Sequence, residues 1–447
     1  MKNIAASTPN WLAKASVYQI NPRTFSKEGT IKAITKELPN LAELGFSVVY
    51  LCPVFKEDES TDLKNWSIRQ KASETGNPKN PYRMNNYFEI DSEYGTMDDL
   101  REFVNAAHSL GQKVLLDLVY LHMGPNADIF KRHPNFMKMD ADGNVLLNYW
   151  NFPELDYDHQ GVREYMWCNM VYYVGEIGVD GFRCDVGDGV PLDFWREGLR
   201  RCRTINPETA LINEGSIQNY FKVFSSMYAF YWHEAIHAII TGEEKASHLR
   251  KKWQEVDEKT LKGARYLRDM DNHDTVTDWD MRVEKRIGHN GMELIQVMNF
   301  IIDGIPMVYA GNELADSAYH SMFANRFHMG KYEVTDRSIA KEDYSVRRQD
   351  IMKRLNTLKK SEEILYSGKT VWLDNTDSDN VISFARVTEK GKIIFIGNLS
   401  GNSVECKVDC LGEQNKVILE SSEATKMNET SITLSPYGYI VLKEETK

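Results

Sequence analysis

Cysteine, proline and long apolar runs are all scarce in this chain. Six cysteines and 13 prolines are spread over 447 residues. The cysteines stand at 52, 168, 184, 202, 406 and 410, without metal-ligand spacing, which excludes a zinc module or a disulfide scaffold. Cys184 reads as a core thiol. Cys406 and Cys410 are near enough in sequence to meet, but reduced thiols are expected where no signal segment precedes them. No apolar run reaches the about 20 residues of a membrane helix, so no membrane partner is expected. The first ten residues lack the apolar core of a signal peptide, so a cytoplasmic location is expected, and secretion only if a signal precedes this sequence. Positive charge is also short. Lys plus Arg number 54 against 65 acids, a formal net charge of −11, which argues against nucleic acid and suits a neutral ligand.

What is present is a repeated alternation. Residues 17–20, 47–51, 114–119, 178–185, 211–212, 227–232, 266–270 and 304–309 read as short apolar strands. Several are near-continuous apolar runs, as strands buried on both faces are. Helical spacing follows at 32–44, 97–110, 162–177, 191–202, 292–302 and 345–359, with Gly45 and Gly111 as stops. About eight strand-then-helix units predict an α/β protein with a (β/α)8 TIM barrel. Two irregular stretches, 53–94 and 122–158, are longer than ordinary connections and read as functional loops. In the second, Asp140-Ala-Asp-Gly-Asn144 superficially resembles a calcium loop, but its later ligand positions are missing. A hairpin turn at Asp142-Gly143 is expected there. After about residue 365 the pattern becomes short alternating strands with turns at Lys390-Gly391 and Pro436-Tyr-Gly438. The expected organisation is a catalytic barrel over 1–121 and 159–364, an inserted loop domain over 122–158 after the third strand, and a C-terminal antiparallel β-sandwich over 365–447.

Active sites of such barrels lie at the C-terminal ends of the strands. Polar residues at those ends are Asp117 and His122, Arg183 and Asp185, Glu214, and His273 and Asp274. On a strand, Arg183 and Asp185 share one side, so the guanidinium keeps the carboxylate ionised, as a covalent nucleophile requires. A structural ion pair would account for these two alone. It does not account for so many charges converging on one mouth, where repulsion among the acids costs stability.

These residues fall in segments that resemble the α-amylase family of retaining α-glucoside hydrolases and transglycosidases. Asp117-Leu-Val-Tyr-Leu-His122 resembles that family's first region, and Gly181-Phe-Arg-Cys-Asp185 its second, which holds the nucleophile. Leu211-Ile-Asn-Glu214 resembles the third, with the acid/base, and Asp271-Asn-His-Asp274 the fourth, with the transition-state stabiliser. Phe152-Pro-Glu-Leu-Asp156, the eighth-strand segment Gly304 to Glu313, and Pro81-Tyr82 through Asp91 are similar to further family segments. The likeness runs from about residue 17 to the C-terminus. It implies Asp185, Glu214 and Asp274 as catalytic groups. It implies Tyr82 stacked under the reacting sugar, with Asp117, His122, Arg183 and His273 around it. The implied partner is an α-glucan or malto-oligosaccharide, and the implied activity is hydrolysis of α-1,4-glucosidic bonds in starch-derived glucans. An exo-acting α-glucosidase, an oligo-1,6-glucosidase or an α-glucan transglycosylase would use the same groups. A non-catalytic relative acting as a binding protein would be expected to have lost carboxylates that are all present here.

Four residues depart from the family pattern. Leu121 stands where the first region has Asn, often a calcium ligand. Leu has no oxygen to offer, so neither calcium nor any other cofactor is expected. Gly189 stands four residues after Asp185, where many members carry His or Lys. Gly215 and Ser216 follow Glu214, where many carry an aromatic.

Overall fold

The computed structural model describes residues 4–278, 282–409, 414–421, 426–428 and 431–445. Eight parallel strands close into a barrel: Val17–Ile20, Val48–Leu51, Lys113–Leu118, Gly181–Cys184, Ala210–Asn213, Ser226–Tyr228, Tyr266–Arg268 and Ile305–Tyr309. Each pairs with the next, and Val17 opposite Met307 closes the ring. Val17, Val48, Leu115, Ala210, Ile212, Leu267 and Ile305 form one buried apolar cluster with Tyr50 and Tyr228. A larger apolar cluster includes other strand residues, such as Val49, Leu116 and Phe182, together with Leu38, Phe103 and Trp195 from the helices. Burial on both faces is why the strands read as unbroken apolar runs.

The helices form where the sequence directs them. Helix Ile31–Glu43 buries Ile31, Ile34, Leu38 and Leu41 on one face, and its Thr30 cap accepts from the Ala33 N–H. Helix Met97–Ser109 starts with a reciprocal capping box between Thr96 and Asp99. Loss of such a cap costs about 1 kcal/mol.

Two expectations need correction. The sixth strand is Ser226–Tyr228 and does not extend to Trp232; helix Phe230–Ile240 begins directly after it. Trp232, Ile236 and Ile239 are buried at helical spacing, so they belong to that helix and not to a strand. The stretch 53–94 is not irregular. It holds a hairpin of Phe55–Glu57 against Met84–Ile90 and a short helix, Ile68–Ala72. The hairpin register shifts twice within three residues, which erases the period-two pattern a strand needs to be legible.

In the segment after the third strand, isolated antiparallel bridges join His122 with Glu154, Met139 with Val145 and Leu147 with Pro153. The Asp140 carboxylate is consumed by its own turn, accepting N–H groups of Asp142 and Asn144. Towards the C-terminus a five-stranded sheet, ordered Lys369–Trp372, Val381–Thr388, Gly391–Asn398, Tyr439–Glu445 and Lys416–Glu420, faces a three-stranded one. Ile394, Ile396, Ile440 and Leu442 of the first meet Val404, Cys406, Ile432 and Leu434 of the second in one apolar cluster. This is the antiparallel sandwich. Cys406 is buried there, and Cys410 lies outside the described residues. Among the described residues no helix is long and apolar enough to cross a membrane.

Candidate active site

Register places the first charges. Asp117 on the third strand is paired with Arg183 on the fourth, so two interior side chains of adjacent strands face each other. Arg183 Nη1 donates to Asp117 Oδ1 at 2.8 Å and to Asp185 Oδ1 at 2.9 Å. Its Nη2 stands 2.9 Å from Glu214 Oε1, delivered by the end of the fifth strand. One buried guanidinium therefore touches Asp117, Asp185 and Glu214. Glu214 also accepts the Val186 N–H on Oε2 at 2.8 Å.

A second chain of bonds brings in the seventh strand. The Gln19 Nε2 amide donates to His273 Nδ1 at 2.8 Å, and Gln19 Oε1 accepts the His273 backbone N–H, which fixes the Gln19 amide. His273 Nε2 consequently carries the proton and donates to the Tyr82 oxygen, and the Tyr82 hydroxyl donates to Asp117 Oδ2. The Tyr82 ring stacks on His273, with centroids 5.4 Å apart. Asp274 follows, with Oδ2 3.2 Å from His273 Nε2 and Oδ1 2.9 Å from Arg69 Nη2.

A pocket of about 540 Å³ opens over these groups, lined among others by Tyr82, His122, Asp185, Glu214 and Asp274. Five of the eight residues singled out in the sequence thus meet in one cavity. Asp117, Arg183 and His273 do not line it. They are buried behind the lining, and Asp117, expected at the sugar, spends its oxygens on Tyr50, Tyr82 and Arg183. His122 lines the pocket, yet both ring nitrogens have protein partners: Nε2 donates to the Tyr82 carbonyl, and Nδ1 accepts from Asn148.

The electrostatics separate the three acids. Burial raises Glu214, with Asp274 and Asp117 adding repulsion and Arg183 opposing. Burial also raises Asp185 against the pull of Arg183, so the close pair tends to hold one proton. Arg183 contacts both carboxyls, and Glu214 also accepts the Val186 N–H, so each anion has support and the proton is shared between the two. Asp274 is opposite in sense. Burial alone would raise it, but His273, Arg69 and Arg183 outweigh that and hold it well below the ordinary carboxylate range. Burial lowers His122 to about 4 and also lowers His273, so both imidazoles are neutral near pH 7.

Several lining residues escaped the sequence reading. Arg69 came from a lone charge in a long loop, with no pattern to flag it. Tyr149 and Trp150 line the pocket beside Phe152, the first residue of the family segment Phe152–Asp156; the aromatic clustering in Asn148-Tyr-Trp-Asn-Phe152 was the available signal. Leu121 packs against Gly189, where a Cβ would come within 3.0 Å of Leu121 Cδ1. Its backbone carbonyl accepts the Leu155 N–H. Among the described residues, no cluster of three or more His, Cys, Asp or Glu is arranged to hold a metal. Leu121 thus offers a cation no side-chain oxygen, and no chemistry is assigned to a metal at this position.

Comparison with known proteins follows the same line. The α-amylase catalytic-domain model matches residues 12–143. That span contains Tyr82, Asp117 and His122; Asp185, Glu214 and Asp274 lie beyond it. Alpha-amylase 2 of Dictyoglomus thermophilum is 22% identical over 428 residues, covering 88% of this chain and 70% of that protein. A cyclomaltodextrinase of a Bacillus species is 27% identical over 369 residues, covering 70% of this chain and 61% of that protein. Among solved structures, a maltogenic α-amylase from Thermotoga neapolitana superposes with a TM-score of 0.81 at 22% identity, over 98% of this chain and 100% of that one. An α-amylase from Lactobacillus plantarum gives 0.79 at 20% identity, over 97% and 99%. The resemblance to the α-amylase family read from the motifs is borne out, by its catalytic-domain model over 12–143 and by the fold over nearly the whole chain.

Proposed function

We propose that this protein is a retaining glycoside hydrolase that cleaves α-1,4-glucosidic bonds in starch-derived glucans or malto-oligosaccharides. The observation that carries the reading is Arg183, which touches Asp185 and Glu214 at once while both line the same pocket. Two carboxyls gathered on one guanidinium suit a nucleophile and an acid; retaining enzymes place the two about 5–5.5 Å apart. Inverting enzymes leave room for a water between their carboxyls.

In this reading an Asp185 oxygen attacks the anomeric carbon. The bond from that carbon to the leaving oxygen breaks, and the electron pair stays with that oxygen, which takes the Glu214 proton. Forming the ester removes the Asp185 charge, so the pKa of Glu214 falls. Glu214 then takes a proton from water, the water oxygen attacks the anomeric carbon, and the ester bond breaks. Asp274, held anionic, accepts hydrogen bonds from sugar hydroxyls that strengthen as positive charge develops on the ring. Asp117, Arg183 and His273 position the groups that touch the sugar.

A second reading, action from the chain end on short oligosaccharides, has its own support. Asn151 of the inserted segment donates to the Lys64 carbonyl, and Arg69 ties the same loop to Asp278. These bonds tie together the segments that carry Arg69, Trp150 and Asp278, all three of which line a cavity of small-molecule size. Chromatography of early products from maltoheptaose, amylose, pullulan and isomaltose separates the readings. Internal cuts of amylose support endo action, and stepwise release from maltoheptaose supports end-on action. No product from any of the four would sink both.

A further inference from the structure

Gly215 and Ser216, which depart from the family pattern just after Glu214, have a structural counterpart in Asp188. Asp188 lies on the turn Gly187–Gly189, three residues past Asp185. Its Oδ2 accepts the Ser216 N–H at 2.6 Å and the Ile217 N–H at 2.8 Å, and its Oδ1 accepts from Asn213 Nδ2 at 2.7 Å. These three donors lie on both sides of Glu214 in the chain. A Cβ at Gly215 would come within 2.3 Å of the Asp188 carboxyl, so the carboxylate passes directly beside the residue after Glu214.

The same two strand exits are also bonded through their backbones. Glu214 N–H donates to the Cys184 carbonyl and Gly187 N–H to the Glu214 carbonyl, both at 3.1 Å. Val186, between them, is in the left-handed region with φ 42°, unusual for a β-branched residue, and this aims its N–H at Glu214 Oε2. Asp188 is not among the residues that line the pocket.

We infer that Asp188 is a positioning residue that sets the height and angle of the Glu214 carboxyl over the leaving-group oxygen, by clamping the backbone on both sides of it. The inference rests on Glu214 being the acid/base, as proposed above. Proton delivery needs Glu214 within hydrogen-bond reach of the leaving oxygen, so a loosened clamp costs acid catalysis and not nucleophilic attack. A departing sugar needs that proton. A departing fluoride leaves as the anion and does not.

The test compares kcat/KM on the malto-oligosaccharide that the wild type turns over fastest with kcat/KM on α-maltosyl fluoride. Asp188→Ala is expected to lose about 100-fold on the oligosaccharide and no more than about threefold on the fluoride. Asp188→Asn is expected within about fivefold of wild type on both, because one oxygen keeps the two backbone N–H groups and Asn213 can turn its amide to accept from the new one. Gly215→Ala, which pushes the carboxylate off from the other side, is expected to repeat the Asp188→Ala pattern and serves if that variant does not fold. Equal losses on both substrates, or no loss, in Asp188→Ala or Gly215→Ala would overturn the inference. Glu214→Ala runs alongside. If it too lacks leaving-group dependence, the acid/base reading of Glu214 fails; if it shows the dependence and the clamp variants do not, only the inference about Asp188 fails.

Discussion

Arg69 Nη2 lies 2.9 Å from Asp274 Oδ1, and its Nε lies 2.7 Å from Asp278 Oδ1. The arginine rides on the short helix Ile68–Ala72 in the loop after the second strand, and the two acids follow the seventh. One side chain thus joins two loops across the pocket and helps keep Asp274 ionised.

Removing that charge has two expected effects. Arg69→Ala should lower kcat/KM by about 10- to 100-fold, the weight of one charge-assisted hydrogen bond. It should also raise the pKa of Asp274 towards the ordinary carboxylate range, so the acid limb of the pH–rate profile moves up. Arg69→Lys should recover part of the rate. An unchanged acid limb in Arg69→Ala would show that Arg69 is a surface tie only.

Asp185→Asn should abolish turnover and leave the fold intact. The amide matches the carboxylate in volume and still sits beside Arg183, but it cannot form the glycosyl ester. A loss of several orders of magnitude is expected, with an unchanged melting temperature. Retention of more than about a tenth of the activity, a barrier change below about 1.4 kcal/mol, would refute the nucleophile assignment.

Proton NMR of the first product should show the α-anomer, because two displacements at one carbon restore its configuration. Initial appearance of the β-anomer would exclude a covalent intermediate on Asp185.

His122 predicts a pH dependence of stability. Its folded pKa is lowered by burial from 6.5 to about 4. Between those values the unfolded chain binds a proton that the folded one does not, so stability falls as pH drops from about 6.5 to about 4. The loss from this one group is on the order of 3 kcal/mol. Melting temperatures across that range should decline, and His122→Gln should show a shallower decline. An identical slope in the variant would assign the effect to other groups.

Chelation should leave the protein unaltered. Leu121 offers only a side chain packed on Gly189 and a carbonyl already bonded to Leu155, whereas calcium takes six to eight oxygens. Thermal melts and assays with excess EDTA, then with added calcium, should coincide. A fall of many degrees on chelation, restored by calcium, would reveal oxygens that assemble a site elsewhere.

The sequence by itself determined the barrel. Apolar strands and amphipathic helices are local patterns with fixed periods, and the alternation of the two leaves few ways to bury both. It also determined which charges stand at strand ends, because Arg183 and Asp185 or Asp271-Asn-His-Asp274 are adjacent in the chain. Only the tertiary structure decided how those charges divide their work. Asp117 is two strands away from Glu214, yet Arg183 touches both, and that contact exists only because the barrel curves. Arg69 and Asp188 act on Asp274 and on the Glu214 loop through contacts 205 and 25 to 29 residues apart, and no local period records such distances. The hairpin inside 53–94 was hidden for the opposite reason. Its register slips remove the one local signal, alternation, by which a strand is recognised.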